Sequence, residues 1–363
     1  MNNGITASLY IHIPFCSSFC DYCDFYSVDR NNYYDAFIDS FLNALLFDIN
    51  NQISRFNIKE IPTVYIGGGT PSVLGKKIHI IPDALKNICG FSPLEFTVEA
   101  NPESLTEDFL DVCREGGVNR LSLGIQTFNE KIRKAINRIG DISSLEKSLN
   151  LASKYFPASF SVDLITGLPY QNEKIITEEI KHILNFNPSH ISLYSLILEK
   201  ETPLYTKIKN KELKLPDNET SDILWLLGKD TLVNEGFNHY EISNFAKDGK
   251  ICIHNTRYWK MQNWIGAGPS ASGTIIDGEK AKRYTYSNDV DAYIKEPLLH
   301  TAIYEELDKN LLLKERILMG FRLRECQDNL FKEYIPKTLA KWQGKDKMLF
   351  LNSFLQDAFT EIG

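Results

Sequence analysis

Six short apolar runs, each followed by a longer stretch of helical spacing, constrain the fold of this 363-residue chain more than any other feature. The runs are Ser8–Ile13, Thr63–Ile66, Leu94–Val98, Arg120–Ile125, Phe160–Ile165 and His190–Leu196. Between the first two, Tyr33, Phe37, Phe41, Leu45 and Ile49 recur at four-residue steps and put one apolar stripe on a helix. Leu105–Cys113, Ser144–Tyr155 and Glu173–Phe186 read similarly. Asn101-Pro102, Asn187-Pro188 and Gly116-Gly117 mark the joins, because such residues stop helices and open turns. Strand–helix units in series predict an α/β fold with a parallel sheet, doubly wound or curled into a barrel.

Past about residue 200 the alternation stops. Lys207–Lys214 is basic and of exposed character, Thr220–Asn234 reads as a helix, and Gly266–Gly278 is rich in glycine. From Leu307 onward the chain reads as helical and charged. The divisions are therefore 1–205, 206–300 as a linker region, and 301–363 as a smaller, mostly helical domain.

The charge and the cysteines narrow the setting. A formal charge of −7 offers no basic footprint for nucleic acid. Seven cysteines, at 16, 20, 23, 89, 113, 252 and 326, make an odd total with three clustered, which suits a reducing compartment better than a disulfide framework. The start has no basic flank and no long apolar core, and no stretch approaches the roughly 18 apolar residues of a membrane span. A cytoplasmic protein without an integral membrane segment is expected.

Cys16, Cys20 and Cys23, spaced by three and two residues on one short loop, supply three of the four ligands that an iron–sulfur cube takes. The fourth iron is then free to bind something else. A zinc site is the rival, but a second Cys or His pair at finger spacing is missing. The strand ends add Gly67-Gly68-Gly69-Thr70-Pro71, Glu99-Ala-Asn101-Pro102, Gly124-Ile-Gln126, and Asp163 before Gly167-Leu-Pro169. In parallel α/β folds such residues gather at one rim. The glycines let backbone approach a ligand, and the carboxylates accept from amines or ribose hydroxyls. Taken singly, each could be a plain turn, or an ion pair with Arg120 or Arg138.

Together these residues resemble the radical S-adenosylmethionine (SAM) superfamily, whose hallmark is Cys-x3-Cys-x2-Cys after the first strand. Tyr10-Ile-His-Ile-Pro-Phe-Cys, Gly-Gly-Gly-Thr-Pro-Ser72, Glu99-Ala-Asn-Pro, Gly124-Ile-Gln-Thr-Phe128 and Asp163-Leu-Ile-Thr-Gly-Leu-Pro169 are similar to one branch of it. That branch holds oxygen-independent coproporphyrinogen III oxidase and the HemW heme chaperones. The resemblance implies a partial (β/α)6, TIM-like barrel with a winged-helix-like C-terminal domain. It implies that Cys16, Cys20 and Cys23 hold a 4Fe–4S cluster whose open iron chelates S-adenosylmethionine. Tyr10 and Tyr22 would lie near the cofactor, and Gly68, Gly69 and Thr70 would receive its methionine end. Glu99, Gln126, Arg138 and Asp163 would hold the carboxylate, amine or ribose, and Ile197 the adenine through its backbone. An electron from the cluster then breaks the sulfonium bond, so an electron donor is implied as a partner.

Within the branch, the oxidase carries a further cysteine two residues after the triplet, where this chain has Phe25, and an N-terminal extension where this chain begins nine residues before Tyr10. Cys252-Ile-His254-Asn255-Thr-Arg-Tyr258-Trp259 carries the His-Asn-x-x-Tyr-Trp motif of the chaperones. An imidazole beside aromatic rings suits heme, since the nitrogen can ligate iron and the rings can cover porphyrin faces. The same four residues could also cap and pack a domain junction. Other positions depart from the chaperones: Gly140 and Ser272 stand where histidines are usual. Glu315 to Arg324 matches the start of the winged-helix-like domain, which the chain leaves short. The resemblance thus implies a chaperone that binds heme and passes it to respiratory apo-proteins, with peripheral membrane contact where the acceptor is membrane-bound. The alternative is radical oxidative decarboxylation of coproporphyrinogen III.

Overall fold

The structure is a computed structural model that describes residues 4–88, 91–247, 249–325 and 328–363, so Cys89 and Cys326 lie outside the described residues. The six expected strands are β1 (Ser8–Ile13), β2 (Thr63–Gly68), β3 (Glu95–Ala100), β4 (Arg120–Gln126), β5 (Phe160–Thr166) and β6 (His190–Ser195). Neighbours along the chain pair in parallel, from β1 through to β6. Every second residue is apolar and buried outward: Leu9, Ile11 and Ile13 on β1, Val64 and Ile66 on β2, Phe96 and Val98 on β3. The intervening residues are polar, which fills the concave side with side chains able to bind one another or a ligand.

The sheet continues at both ends. It has twelve strands, the others being β7 (Asn238–Glu241), β8 (Asn244–Ala246), β9 (Trp264–Ala267), β10 (Ser272–Asp277), β11 (Lys280–Thr285) and β12 (Ile303–Leu307). Their order is β7-β8-β6-β5-β4-β3-β2-β1-β9-β10-β11-β12. β8 runs antiparallel to β6, while β9 lies parallel to β1 with Ile265 opposite Leu9. The sheet does not close, in keeping with a partial barrel.

Several helices start at polar caps, where a side chain satisfies an amide left free by the first turn. Thr106 caps α2 (Glu107–Glu115), Asp141 caps α3 (Ile142–Tyr155), Asn172 caps α4 (Glu173–Leu184), and Asp217 caps α5 (Asn218–Asn234). The first helix, α1 (Asp35–Arg55), outruns the apolar stripe that ends at Ile49. Its last turns bury Asp48 and Gln52, which bond to residues far along the chain. Tyr286 and Tyr293 donate to Asp48 at 2.6 and 2.7 Å, and Gln52 Nε2 donates to Gly266 O at 2.8 Å. Burial pushes the Asp48 carboxyl up to about 6, against the lowering effect of these bonds. One apolar core runs from Ala7 to Leu299. A separate core around Ile317, Phe321, Trp342 and Phe354 holds the helical C-terminal region, which includes α7 (Lys309–Gly320) and the helix Leu351–Ile362.

Candidate cofactor site

The carboxyl ends of the parallel strands and the loop after β1 enclose a cavity of about 400 Å³. Phe15–Cys16 pairs with Val28–Asp29, and this short ladder folds the cysteine loop back over the end of β1. Cys16, Cys20 and Cys23 are half-buried free thiols, and all three line the cavity. Thr70 Oγ1 lies 3.4 Å from Cys16 Sγ, and Arg138 donates through Nη1 to Cys20 Sγ at 3.3 Å. Burial pushes the Cys16 thiol up and the Cys23 thiol to about 11, so both favour the protonated form until an electrophile replaces the proton. Among the described residues, no three thiol, imidazole or carboxylate groups form a site for a single metal ion. A cube of four irons does not ask for one point of convergence, because each thiolate binds a different iron. Three thiols on one wall of a cavity fit that group.

The glycine run is fastened to the cysteine strand. Gly69 N–H donates to Ile13 O and Thr70 N–H to Phe15 O, each at 2.8 Å. A Cβ on Gly69 would stand 2.8 Å from Phe15 O and 3.1 Å from Cys16 Sγ. One on Gly67 would stand 2.8 Å from Glu99 Oε2. Gly68 has φ +109, a conformation that side chains resist. The bare backbone is therefore a fitted wall of the cavity.

Glu99 accepts from Tyr65 OH at 2.7 Å and from Gly68 N–H at 3.2 Å. Burial, reinforced by Asp163, pushes its carboxyl up to about 7 despite those bonds. Asp163, likewise raised by burial, accepts from Ser122 Oγ at 3.2 Å. Gln126 sits where the register of β4 against β5 slips, with φ +68, and this bulge turns its side chain into the cavity. Arg138 is buried and donates through Nη2 to Asn101 Oδ1 at 2.7 Å, while its Nε has no partner. Tyr22 and Ile197 also line the cavity. Tyr10 stands outside the lining, with its hydroxyl 3.0 Å from His12 Nδ1 and its ring against Tyr65.

Asn101, named from the sequence only within the run Glu99-Ala-Asn101-Pro102, bridges Thr70 and Arg138. Ser122 and Tyr194 line the same cavity and Tyr65 bonds to its Glu99; none of the three was singled out by sequence. Their signal is the polar alternation within apolar strands, Thr63-x-Tyr65-x-Gly67 and Arg120-x-Ser122-x-Gly124. Chemically, the arrangement offers three thiols, two half-buried carboxylates, a buried cation and open backbone within one cavity. That suits a zwitterionic, hydroxyl-bearing ligand beside a metal cluster.

His254, Asn255, Tyr258 and Trp259 are not brought to this cavity. They lie on α6 (Ile253–Trp259), set against the amino-terminal ends of β1, β2 and β3. Cys252 precedes the helix without capping it. Glu95, at the start of β3, caps it instead by accepting from Ile253 N–H and His254 N–H, both at 2.8 Å. His254 is 1% exposed, with Nδ1 2.8 Å from Thr63 Oγ1 and Nε2 2.7 Å from Tyr258 OH. Tyr65 covers its ring at 5.2 Å. Burial lowers the imidazole pKa to about 3, so the ring is neutral and both nitrogens are engaged. Trp259 lies under the Arg322 guanidinium at 5.0 Å, joining the barrel floor to the C-terminal region.

Known proteins share these features. The profile of the radical SAM superfamily matches residues 10–185. The heme chaperone HemW of Lactococcus lactis is 34% identical over 90% of this chain and 85% of its own length. HemW of Buchnera aphidicola (subspecies Schizaphis graminum) is 32% identical over 96% and 97%, and that of Escherichia coli 35% over 74% and 70%. Among solved structures, the coproporphyrinogen III oxidase HemN from Escherichia coli, a radical SAM enzyme, aligns with a TM-score of 0.79. It covers 98% of this chain and 90% of its own, at 19% identity, a likeness of fold.

Proposed function

Because the chain belongs to the radical SAM superfamily and, within it, to the HemW family, we propose that it is a heme chaperone that passes heme to apo-proteins of the respiratory chain. The observation that carries this reading is the likeness to HemW proteins over nearly the full length. Phe25, in place of the oxidase's extra cysteine, supports it. The superfamily implies a 4Fe–4S cluster and S-adenosylmethionine. Cys16, Cys20 and Cys23 would hold the cluster, and the bound pair supplies one-electron cleavage of a sulfonium bond.

This chain's own residues do the holding. Gly68, Gly69 and Thr70 give backbone to the amino-acid end, and Glu99 and Asp163 accept from its amine and the ribose. Arg138 keeps one N–H free to donate beside Cys20. Tyr65 fixes the Glu99 carboxylate through its hydroxyl. An external electron donor serves the cluster. Among the described residues no helix is long and apolar enough to cross a membrane, and contact with a membrane-bound acceptor would be peripheral.

The competing reading is coproporphyrinogen III oxidation, favoured by the fold shared with HemN. Anaerobically reconstituted protein, given heme, should bind it stoichiometrically. Given coproporphyrinogen III, S-adenosylmethionine and a reductant, it should form no protoporphyrinogen IX. Rapid decarboxylation in the second assay would sink the chaperone reading in favour of the oxidase.

A further inference from the structure

A guanidinium is costly to bury, and it persists inside a fold only where its N–H groups find partners. Arg133 is 2% exposed, on the short helix Glu130–Ala135 that follows β4. The acceptors of its side chain are all backbone carbonyls. Nη1 donates to Ile125 O at 2.9 Å and to Thr127 O at 3.1 Å, the residues on either side of Gln126. Nε donates to Gly140 O at 3.1 Å and Nη2 to Ile139 O, the two residues after Arg138. The carbonyl of Arg133 itself accepts from Arg138 N–H at 2.8 Å. One side chain thus grips the backbone around two residues that line the cofactor cavity, while standing outside the lining itself.

Both of those residues need holding. Gln126, at φ +68, sits in the left-handed region that a Cβ resists, and such a conformation lasts only where the surroundings impose it. Glu179, buried on α4, braces the same turn from the far side. Its Oε1 accepts from Phe128 N–H at 2.9 Å, from Asn129 N–H at 3.0 Å and from the Thr127 hydroxyl. Arg138 reaches Cys20 and Asn101 from a loop with positive φ at Asn137 and Gly140. A Cβ on Gly140 would stand 3.3 Å from Arg133 Nη2 and 3.1 Å from Ser144 Oγ. Gly140 is one of the two positions where the chaperones usually carry histidine. Here its bare face leaves room for the guanidinium.

On the premise that the cavity takes S-adenosylmethionine, we propose that Arg133 is a positioning residue. It ties the Gln126 bulge to the Arg138 loop and so sets how tightly the cofactor is held, without touching it. The glycine at 140 and the arginine at 133 work as a pair.

The test uses the full chain with its cluster reconstituted under anaerobic conditions. S-adenosylmethionine is titrated calorimetrically against the native protein, Arg133→Met, Arg133→Lys, Gln126→Ala and the double variant Arg133→Met with Gln126→Ala. Iron–sulfur absorbance and thermal unfolding are read alongside. Arg133→Met should weaken binding by about tenfold or more with absorbance retained, as loss of an orienting partner does at metal sites. Arg133→Lys keeps the charge but lacks the planar fork that serves both pairs of carbonyls, and should lose at least about fivefold. The lysine variant carries the test, cycle included, should the methionine one fail to fold. Because Arg133 acts through Gln126, adding Arg133→Met to Gln126→Ala should cost no more than about threefold.

Native affinity in a folded Arg133 variant overturns the inference and leaves the cofactor reading standing. A further loss of about tenfold in the double variant overturns it as well, because Arg133 would then act independently of Gln126. A native chain that holds its cluster and binds no S-adenosylmethionine overturns the cofactor reading and the inference together.

Discussion

The two ends of the barrel are built by the same strands from the same kinds of residue, yet they are finished differently. Glu95 and Glu99 lie four residues apart on β3 and face the same interior. Glu95 accepts two amide protons from the start of α6 and is closed over by Cys252 at 3.5 Å. Glu99 accepts from one tyrosine and one glycine amide, and otherwise faces a cavity trimmed of side chains at Gly67, Gly68 and Gly69. The imidazole of His254 at the floor has both nitrogens satisfied, whereas Arg138 at the rim keeps an N–H unpaired. A buried polar group whose partners are all protein holds a fold together; one left facing a fitted void awaits a ligand.

That contrast can be broken in four places. The largest effect belongs to the cysteines. Cys23→Ala should abolish iron–sulfur absorbance on anaerobic reconstitution while far-ultraviolet dichroism stays native, and retention of a full-strength cluster would refute the assignment.

Next comes the floor. Glu95→Ala strands two buried amides and should cost about 2–4 kcal/mol in denaturant unfolding. S-adenosylmethionine affinity, measured well below the transition, should hardly move; a large drop there would mean the two ends are not separable.

Third is pH at the rim. The Glu99 carboxyl, raised to about 7, is mostly neutral at pH 6 and mostly ionised at pH 8. A cationic amine or sulfonium prefers the ionised form, so cofactor affinity should rise up to about tenfold across that interval. Calorimetric titration of Glu99→Gln should give a flat profile, and a slope as steep as native would assign the titration to another group. The smallest effect is Tyr258→Phe, which removes one hydrogen bond from His254 and should cost about 1 kcal/mol, read as a small shift in the unfolding midpoint.

Much of the rim was legible in the sequence because its residues stand at strand ends, beside turn-formers that announce where a strand stops. Gly68, Gly69, Glu99, Gln126 and Asp163 all fall there, and the structure gathers them into one cavity. The floor was hidden for the opposite reason. Thr63 and Glu95 stand where strands begin, and their partner α6 follows about 190 residues of chain beyond Thr63. A motif such as His254 to Trp259 has the chemistry of a heme ligand on paper, and sequence spacing says nothing about whether its nitrogens are already taken.

The flanking strands were equally quiet. β9 is four residues long, and β10 and β11 meet across a two-residue turn with Gly278 at positive φ, a hairpin signal concealed within a glycine-rich stretch. In α1, the buried polar pair Asp48 and Gln52 interrupted an apolar stripe whose helix in fact continued.

The pairing of β9 with β1 has a consequence for the nascent chain. Leu9 leaves the ribosome roughly 250 residues ahead of its neighbour Ile265. At ~5–20 residues per second, the outer edge of β1 waits on the order of 10–50 s for its partner. Throughout that interval it is an unpaired apolar strand edge, the surface on which chains join one another in error. Yield in the cell should therefore depend on translation speed and on chaperones that shield the first strand.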